Sequence, residues 1–162
     1  MATALTVQRY LDAQGIAYDA VSHAPTASSR QTAEIAHVSA NRLAKAVMLK
    51  RNEGYLLVVV PASHNLEWTA LENCLDQHVA LATDDEIVWL LPDCACGAVP
   101  PIGEAYGIET AVDDSIAEQP DIYFEGGDHA TLVHMSGPAF CIAMAHAKHG
   151  RFSHQWVPGT SP

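Results

Sequence analysis

The sequence predicts a mixed α/β fold in a single domain of 162 residues, and three observations predict it. Two apolar, β-branched-rich runs, 45–50 and 55–61, flank Asn52-Glu53-Gly54 as the arms of a hairpin. Helix start signals recur around such runs, the most complete being Thr83-Asp84-Asp85-Glu86. No repeat or linker-like stretch divides the chain, so its strands and helices share one core around a largely antiparallel or mixed sheet. An apolar content of 49% is enough to fill that core.

Element by element, Thr3 is placed to cap a first helix with Leu5, Tyr10 and Leu11 on its apolar side and Gly15 as its stop, and 17–22 reads as a short strand. Ser28 or Ser29 opens a second helix through Ala36, and Ser39 caps a short one ending near Ala44. After the hairpin come a helix over 67–75, a strand near 79–82 and the capping-box helix, closed by Pro92. Strands are expected over 110–112, 121–125 and 131–135, while Ser136-Gly137-Pro138 starts a last helix running to about Ala147. The expected organisation is a domain over 1–150 and a loose tail over 151–162.

No apolar run approaches the roughly 20 residues that cross a bilayer, and the first residues lack the pattern of a secretory signal. The expectation is a cytoplasmic protein with no membrane partner. Cys74, Cys94, Cys96 and Cys141 are too few and too irregularly spaced for a disulfide scaffold. Zinc ligation competes as a reading because there are nine histidines, but Cys94-x-Cys96 lacks the usual two-residue gap and His146-x-x-His149 with His154 has no second cluster. No metal or cofactor is expected. Cys141 falls on the apolar side of a predicted helix, which suits packing better than nucleophilic work.

The net charge of −11 argues against broad binding to DNA or RNA backbone. The cations are unevenly distributed, however: Arg30, Arg42, Lys45, Lys50 and Arg51 lie close in sequence, and no basic residue occurs between Arg51 and Lys148. Either this is a solvated charge face, or it is a small phosphate-reading patch. Lys45 opens the run Lys45-Ala46-Val47-Met48-Leu49, where a cation meeting a buried strand needs an anion or acceptors. Gly97-Ala98-Val99-Pro100-Pro101-Ile102-Gly103 is a loop stiffened by two prolines and freed at both ends by glycine, which can present backbone N–H groups to a phosphate or an ester carbonyl.

Three segments in order, Leu43-Ala44-Lys45-Ala46-Val47, the Gly97–Gly103 loop and Asp121-Ile122-Tyr123-Phe124-Glu125-Gly126-Gly127-Asp128-His129, resemble the YbaK/EbsC family, the prolyl-tRNA synthetase associated or editing domain. The resemblance spans most of the chain. It implies a compact α/β fold with a barrel-like central sheet, and an enzyme that hydrolyses the ester of a mischarged aminoacyl-tRNA in trans, removing a small amino acid, with tRNA for proline among the candidate substrates and a synthetase as a candidate partner. By the same resemblance Lys45 is the functional lysine, better suited to anchor the terminal phosphate or ribose than to act as a nucleophile, since no neighbour in sequence lowers its pKa. Gly97 and Pro101 match the family's Gly-x-x-x-Pro element, and the loop departs from the family pattern at Pro100.

From these residues follow the expected roles. Gly97 and Ala98 supply oxyanion N–H groups, and His23, Val99, Pro101, Gly103, Asp128 and His129 line the substrate pocket. Arg30, Arg42, Lys50 and Arg51 receive the acceptor end of the tRNA. The competing reading is a binding or regulatory module that keeps the shape without turnover. His23 also reads as an ordinary turn histidine, and Gly126-Gly127-Asp128-His129 as an ordinary polar hairpin.

Overall fold

The computed structural model describes residues 3–26 and 28–157. In chain order its elements are α1 (Leu5–Ala13), β1 (Asp19–Ser22), α2 (Ser29–Ile35), β2 (Leu43–Lys50), β3 (Tyr55–Pro61), β4 (His64–Leu66), α3 (Trp68–Leu75), β5 (Ala80–Leu81) and α4 (Asp84–Leu90). A 3₁₀ turn (Gly103–Tyr106) is followed by β6 (Glu109–Asp113), α5 (Asp114–Ala117), β7 (Asp121–Glu125), β8 (Thr131–Ser136), α6 (Gly137–Ala143), β9 (Lys148–Gly150) and β10 (Ser153–Gln155). The expected hairpin is the centre of the molecule, with β2 and β3 antiparallel from Ala44–Pro61 to Lys50–Tyr55.

The main sheet has the order β1-β8-β7-β2-β3-β6-β9, with β5 also on β2. It is mixed: β1·β8, β7·β8, β2·β3 and β2·β5 are antiparallel, while β2·β7, β3·β6 and β6·β9 are parallel. Helices cover both faces, which is why β3 reads as an unbroken apolar run rather than an alternating one; only Tyr55 of its seven residues is not buried. On one face α1, α5 and α6 pack Val7, Leu11, Ile116 and Phe140 onto Val59, Val112, Phe124 and Val133. On the other, α2 closes over Leu43 and Leu132 through Ala33. Beside it α3 closes over Leu49, Leu56, Val58 and Val60 through Leu71, with Phe152 in the same cluster.

Four expectations are corrected. Thr3 does not cap α1: the cap position is Ala4 without a side-chain bond, and a distant carboxylate, Asp93, accepts from the Thr6 N–H at 2.9 Å instead. Ser39 starts a turn rather than a helix, its carbonyl accepting from Arg42 N–H, because Leu43 is already needed in β2. The last helix stops at Ala143, short of Ala147, and Cys141 is exposed rather than packed.

The segment past Gly150 is not loose over 151–157. Phe152 is buried, and β10 pairs with β4. Asp113 fastens it: this buried carboxylate caps α5 through Ser115 N–H at 3.0 Å and accepts from Phe152 N–H at 2.8 Å and Ser153 Oγ at 2.9 Å. Burial alone would raise the Asp113 pKa, but these hydrogen bonds outweigh it and hold the carboxyl below its ordinary range. Residues 158–162 of the expected tail lie outside the described residues.

Candidate active site

Strand alternation sends Ile122 and Phe124 of β7 into one core and turns Tyr123 and Glu125 to the α2 side. Glu125 therefore ends the strand as a carboxylate under a helix, its side chain 12% exposed. Thr32 of α2 donates to its Oε1 at 3.1 Å, and His23 Nε2 stands 3.5 Å from the same oxygen. The other oxygen, Oε2, is buried without a partner. Burial raises the Glu125 pKa, against the opposing pull of His23, Thr32 and His129.

The His23 ring is 1% exposed and fixed at both ends. Its backbone N–H bonds the Ala130 carbonyl at 2.8 Å, and Nδ1 lies 2.8 Å from the Ala24 carbonyl. A carbonyl only accepts, so Nδ1 carries a proton and Nε2 faces Glu125.

Gly97 reaches this group from the opposite loop. The turn after β7 holds it: Ala95 N–H bonds the Gly127 carbonyl at 2.7 Å, and His129 Nε2 donates to the Cys96 carbonyl. Gly97 has a φ of +85°, and a Cβ there would meet His129 Cε1 at 3.2 Å, so both conformation and space demand glycine. Its N–H has no hydrogen-bond partner among the described residues. Gly97, His129 and Glu125 with Thr26, Ser28, Ser29 and Thr32 enclose a cleft of about 20 Å³, room for one water molecule. Glu125, with one oxygen unpaired, and Gly97, with its amide unpaired, thus line one small polar space.

Lys45 lies off this cleft. Its strand runs beside β7 with Ala44 level with Phe124, yet its ammonium turns away and donates to the His64 carbonyl at 2.9 Å. Burial, and secondarily the charge of Arg30, lowers its pKa to about 8. That shift is not visible in sequence, because it comes from burial and from Arg30, fifteen positions away on another element. Arg30 itself donates to Asn65 Oδ1 at 3.0 Å and lies 4.4 Å over the Trp156 ring.

Comparison with known proteins identifies the family and the fold. The family model described as aminoacyl-tRNA editing domain matches residues 23–140. The chain belongs to that family. No curated protein matches the chain. Among solved structures, one of a protein proposed to be a trans-editing enzyme for prolyl tRNA synthetase superposes with a TM-score of 0.82 at 19% identity, covering 93% of this chain and 96% of that one. A hypothetical protein gives 0.80 at 23% identity, with coverage of 92% and 99%. A proposed signal transduction protein of Marinobacter aquaeolei VT8 gives 0.73 at 19% identity over 92% of this chain and 30% of that one. At such identities the likeness shows the fold, and the fold is the one expected from the three segments.

Within this editing domain the remaining candidates separate. Ala98 is buried and its N–H is already bonded to the Ala95 carbonyl at 3.1 Å, so the loop offers Gly97 without it. Pro101 and Gly103 are buried, and a Cβ at Gly103 would lie 2.2 Å from Thr110 Oγ1, which makes Gly103 a packing position away from the cleft. Val99 packs under α4 with Met48 and Leu57. Asp128 is used up within its own turn, accepting from Ala130 N–H and Thr131 Oγ1, both at 2.9 Å.

The expected cationic end is not a patch. Arg42 stands at the start of β2 and pairs with Asp121 at 3.8 Å. Lys50 and Arg51 stand at its other end, paired with Glu86 and Glu109. Eight strand residues separate the groups by roughly 25 Å. Among the described residues no group of three or more His, Cys, Asp and Glu is placed to hold a metal ion. The residues that sequence reasoning passed over are Glu125 and Thr32; their signal was a carboxylate closing the apolar run Ile122-Tyr123-Phe124, visible only once α2 is known to cover it.

Proposed function

We propose that this editing domain is an aminoacyl-tRNA deacylase acting in trans, with Glu125 as general base and the Gly97 N–H as oxyanion donor. The observation that carries the reading is that Glu125, with an unpartnered oxygen, and Gly97, with an unpartnered amide, line one water-sized cleft. A water molecule at Oε2 gives its proton to Glu125 as its oxygen attacks the ester carbonyl at the cleft mouth. The carbonyl oxygen becomes negative and accepts from Gly97 N–H, a donor of a kind worth about 3 kcal/mol. Collapse breaks the bond to the ribose oxygen, which takes the proton back from Glu125 and leaves as the free hydroxyl. A base of this kind contributes roughly 10²–10⁴-fold.

His23 and Thr32 orient Glu125, and His129 holds the loop that carries Gly97. Lys45, still mostly a cation at neutral pH, serves as an anchor for phosphate or ribose rather than as a nucleophile. The prolyl tRNA synthetase named for a structural neighbour supports tRNA for proline as a substrate. A small acyl side chain is the proposed cargo, since a pocket excludes larger residues by clash far better than it rejects smaller ones.

One observation favours the non-catalytic module: the Lys45 ammonium is bonded inside the protein and not at the cleft. A panel of tRNAs charged with alanine, serine, cysteine and proline decides between the two. The deacylase frees the small residues fastest. Loss of every ester at the uncatalysed rate leaves the module.

A further inference from the structure

We infer that the groove between α2 and β10 is a nucleotide subsite, stacking one base of the RNA strand whose 3′ end enters the cleft. The inference rests on the deacylase reading only for the direction of that strand. The groove, about 520 Å³, opens on the side of α2 away from the cleft: Ser28, Ser29 and Thr32 line the cleft, while Arg30, Ala33 and Glu34 line the groove. α2 is seven residues, about 10 Å long, so the two sites are neighbours across one helix. The groove's far wall is Trp156, which lies beyond the residues 23–140 matched by the family model. The Trp156 backbone N–H bonds the Ser63 carbonyl at 2.8 Å and fixes that residue there.

Charge identifies the ligand class. Of eight Lys and Arg in this acidic chain, Arg42, Lys50, Arg51, Lys148 and Arg151 each face a carboxylate. Arg9, Arg30 and Lys45 have no ion pair among the described residues, and of these three Arg30 lines the groove. A guanidinium without a carboxylate partner suits an anion in the groove. A ligand that suits the groove has a flat face for the Arg30–Trp156 pair and a phosphate for Arg30. The one carboxylate on the rim, Glu34, asks for donors, which ribose hydroxyls supply. A ribonucleotide unit meets all of these demands.

The test pairs binding with turnover. A fluorescein-labelled single-stranded RNA ending in CCA is titrated by anisotropy, and a mischarged minihelix with the same end is used for kinetics, on wild type, Trp156→Ala, Trp156→Phe and Arg30→Gln, each checked for an unchanged melting temperature. Trp156→Ala is expected to weaken RNA binding and raise KM about tenfold with kcat kept, and Arg30→Gln to weaken binding similarly. Trp156→Phe, which keeps a flat face, is expected to recover binding to within about threefold and serves as the folded control. Turnover with KM unmoved in all three variants overturns the groove and leaves the deacylase. RNA binding that depends on Trp156 without any turnover keeps the groove and removes the deacylase. AMP displacing the RNA at equal concentration makes this a free-nucleotide site and overturns the assignment to an RNA strand.

Discussion

Lys45 is held at an energetic disadvantage, since its ammonium is mostly buried with a single carbonyl acceptor and a second cation nearby. A lysine whose folded-state pKa falls to about 8 from the ordinary 10.5 penalises the fold wherever it must be charged, below about pH 8. The penalty fades as pH rises from the folded toward the unfolded value. Lys45→Met is therefore expected to stabilise the protein by about 1–2 kcal/mol at pH 7, and to lose that gain near pH 10.5. Urea unfolding at the two pH values checks this, and equal or lower stability at pH 7 contradicts it. At this scale the sequence was partly legible. Lys45 stood out as a cation on an apolar strand and Gly97 as a loop glycine, but Ala98 could not be separated from Gly97, because which N–H is consumed by a turn depends on the bond to Ala95. Glu125 was hidden because its character comes from partners about 100 residues upstream, His23 and Thr32.

Elements with complete local signals were legible. The Thr83 capping box forms on both sides as its residues require, the Asn52–Gly54 hairpin sets its register, and Ser136 with Pro138 begins α6. Elements that owe their existence to distant groups were not. β10 has no strong strand pattern of its own, and exists because Asp113 collects Phe152 N–H and Ser153 Oγ while Phe152 fills the α3 cluster. Asp113→Ala leaves those donors and Ser115 N–H without an acceptor in the interior, so it is expected to cost about 2–4 kcal/mol in urea unfolding at pH 7. The sign with pH follows from the lowered carboxyl: the contribution is present above the ordinary carboxylate range and lost as pH falls through the folded-state value. A cost below about 1 kcal/mol would show that β10 is held by Phe152 alone.

For the whole molecule, the cleft is a product of topology. β7 and β8 make a hairpin whose turn carries His129 to the Gly97 loop, β1 on the far side of β8 brings His23, and α2 lies across β7 with Thr32. Charge sorts the same way, with cations at both ends of β2 neutralised by carboxylates and Arg30 and Lys45 left without an ion pair among the described residues. On the proposed function, the acidic surface repels the body of an RNA and favours contact at its end. The most direct measurement of the central claim is single-turnover hydrolysis of a mischarged tRNA by wild type and Glu125→Gln across pH. The account predicts that wild-type rates rise with pH through a pKa above the ordinary carboxylate range, and that Glu125→Gln is slower by about 10²–10⁴-fold with that titration gone. A Glu125→Gln enzyme that keeps the wild-type rate and pH profile would contradict it.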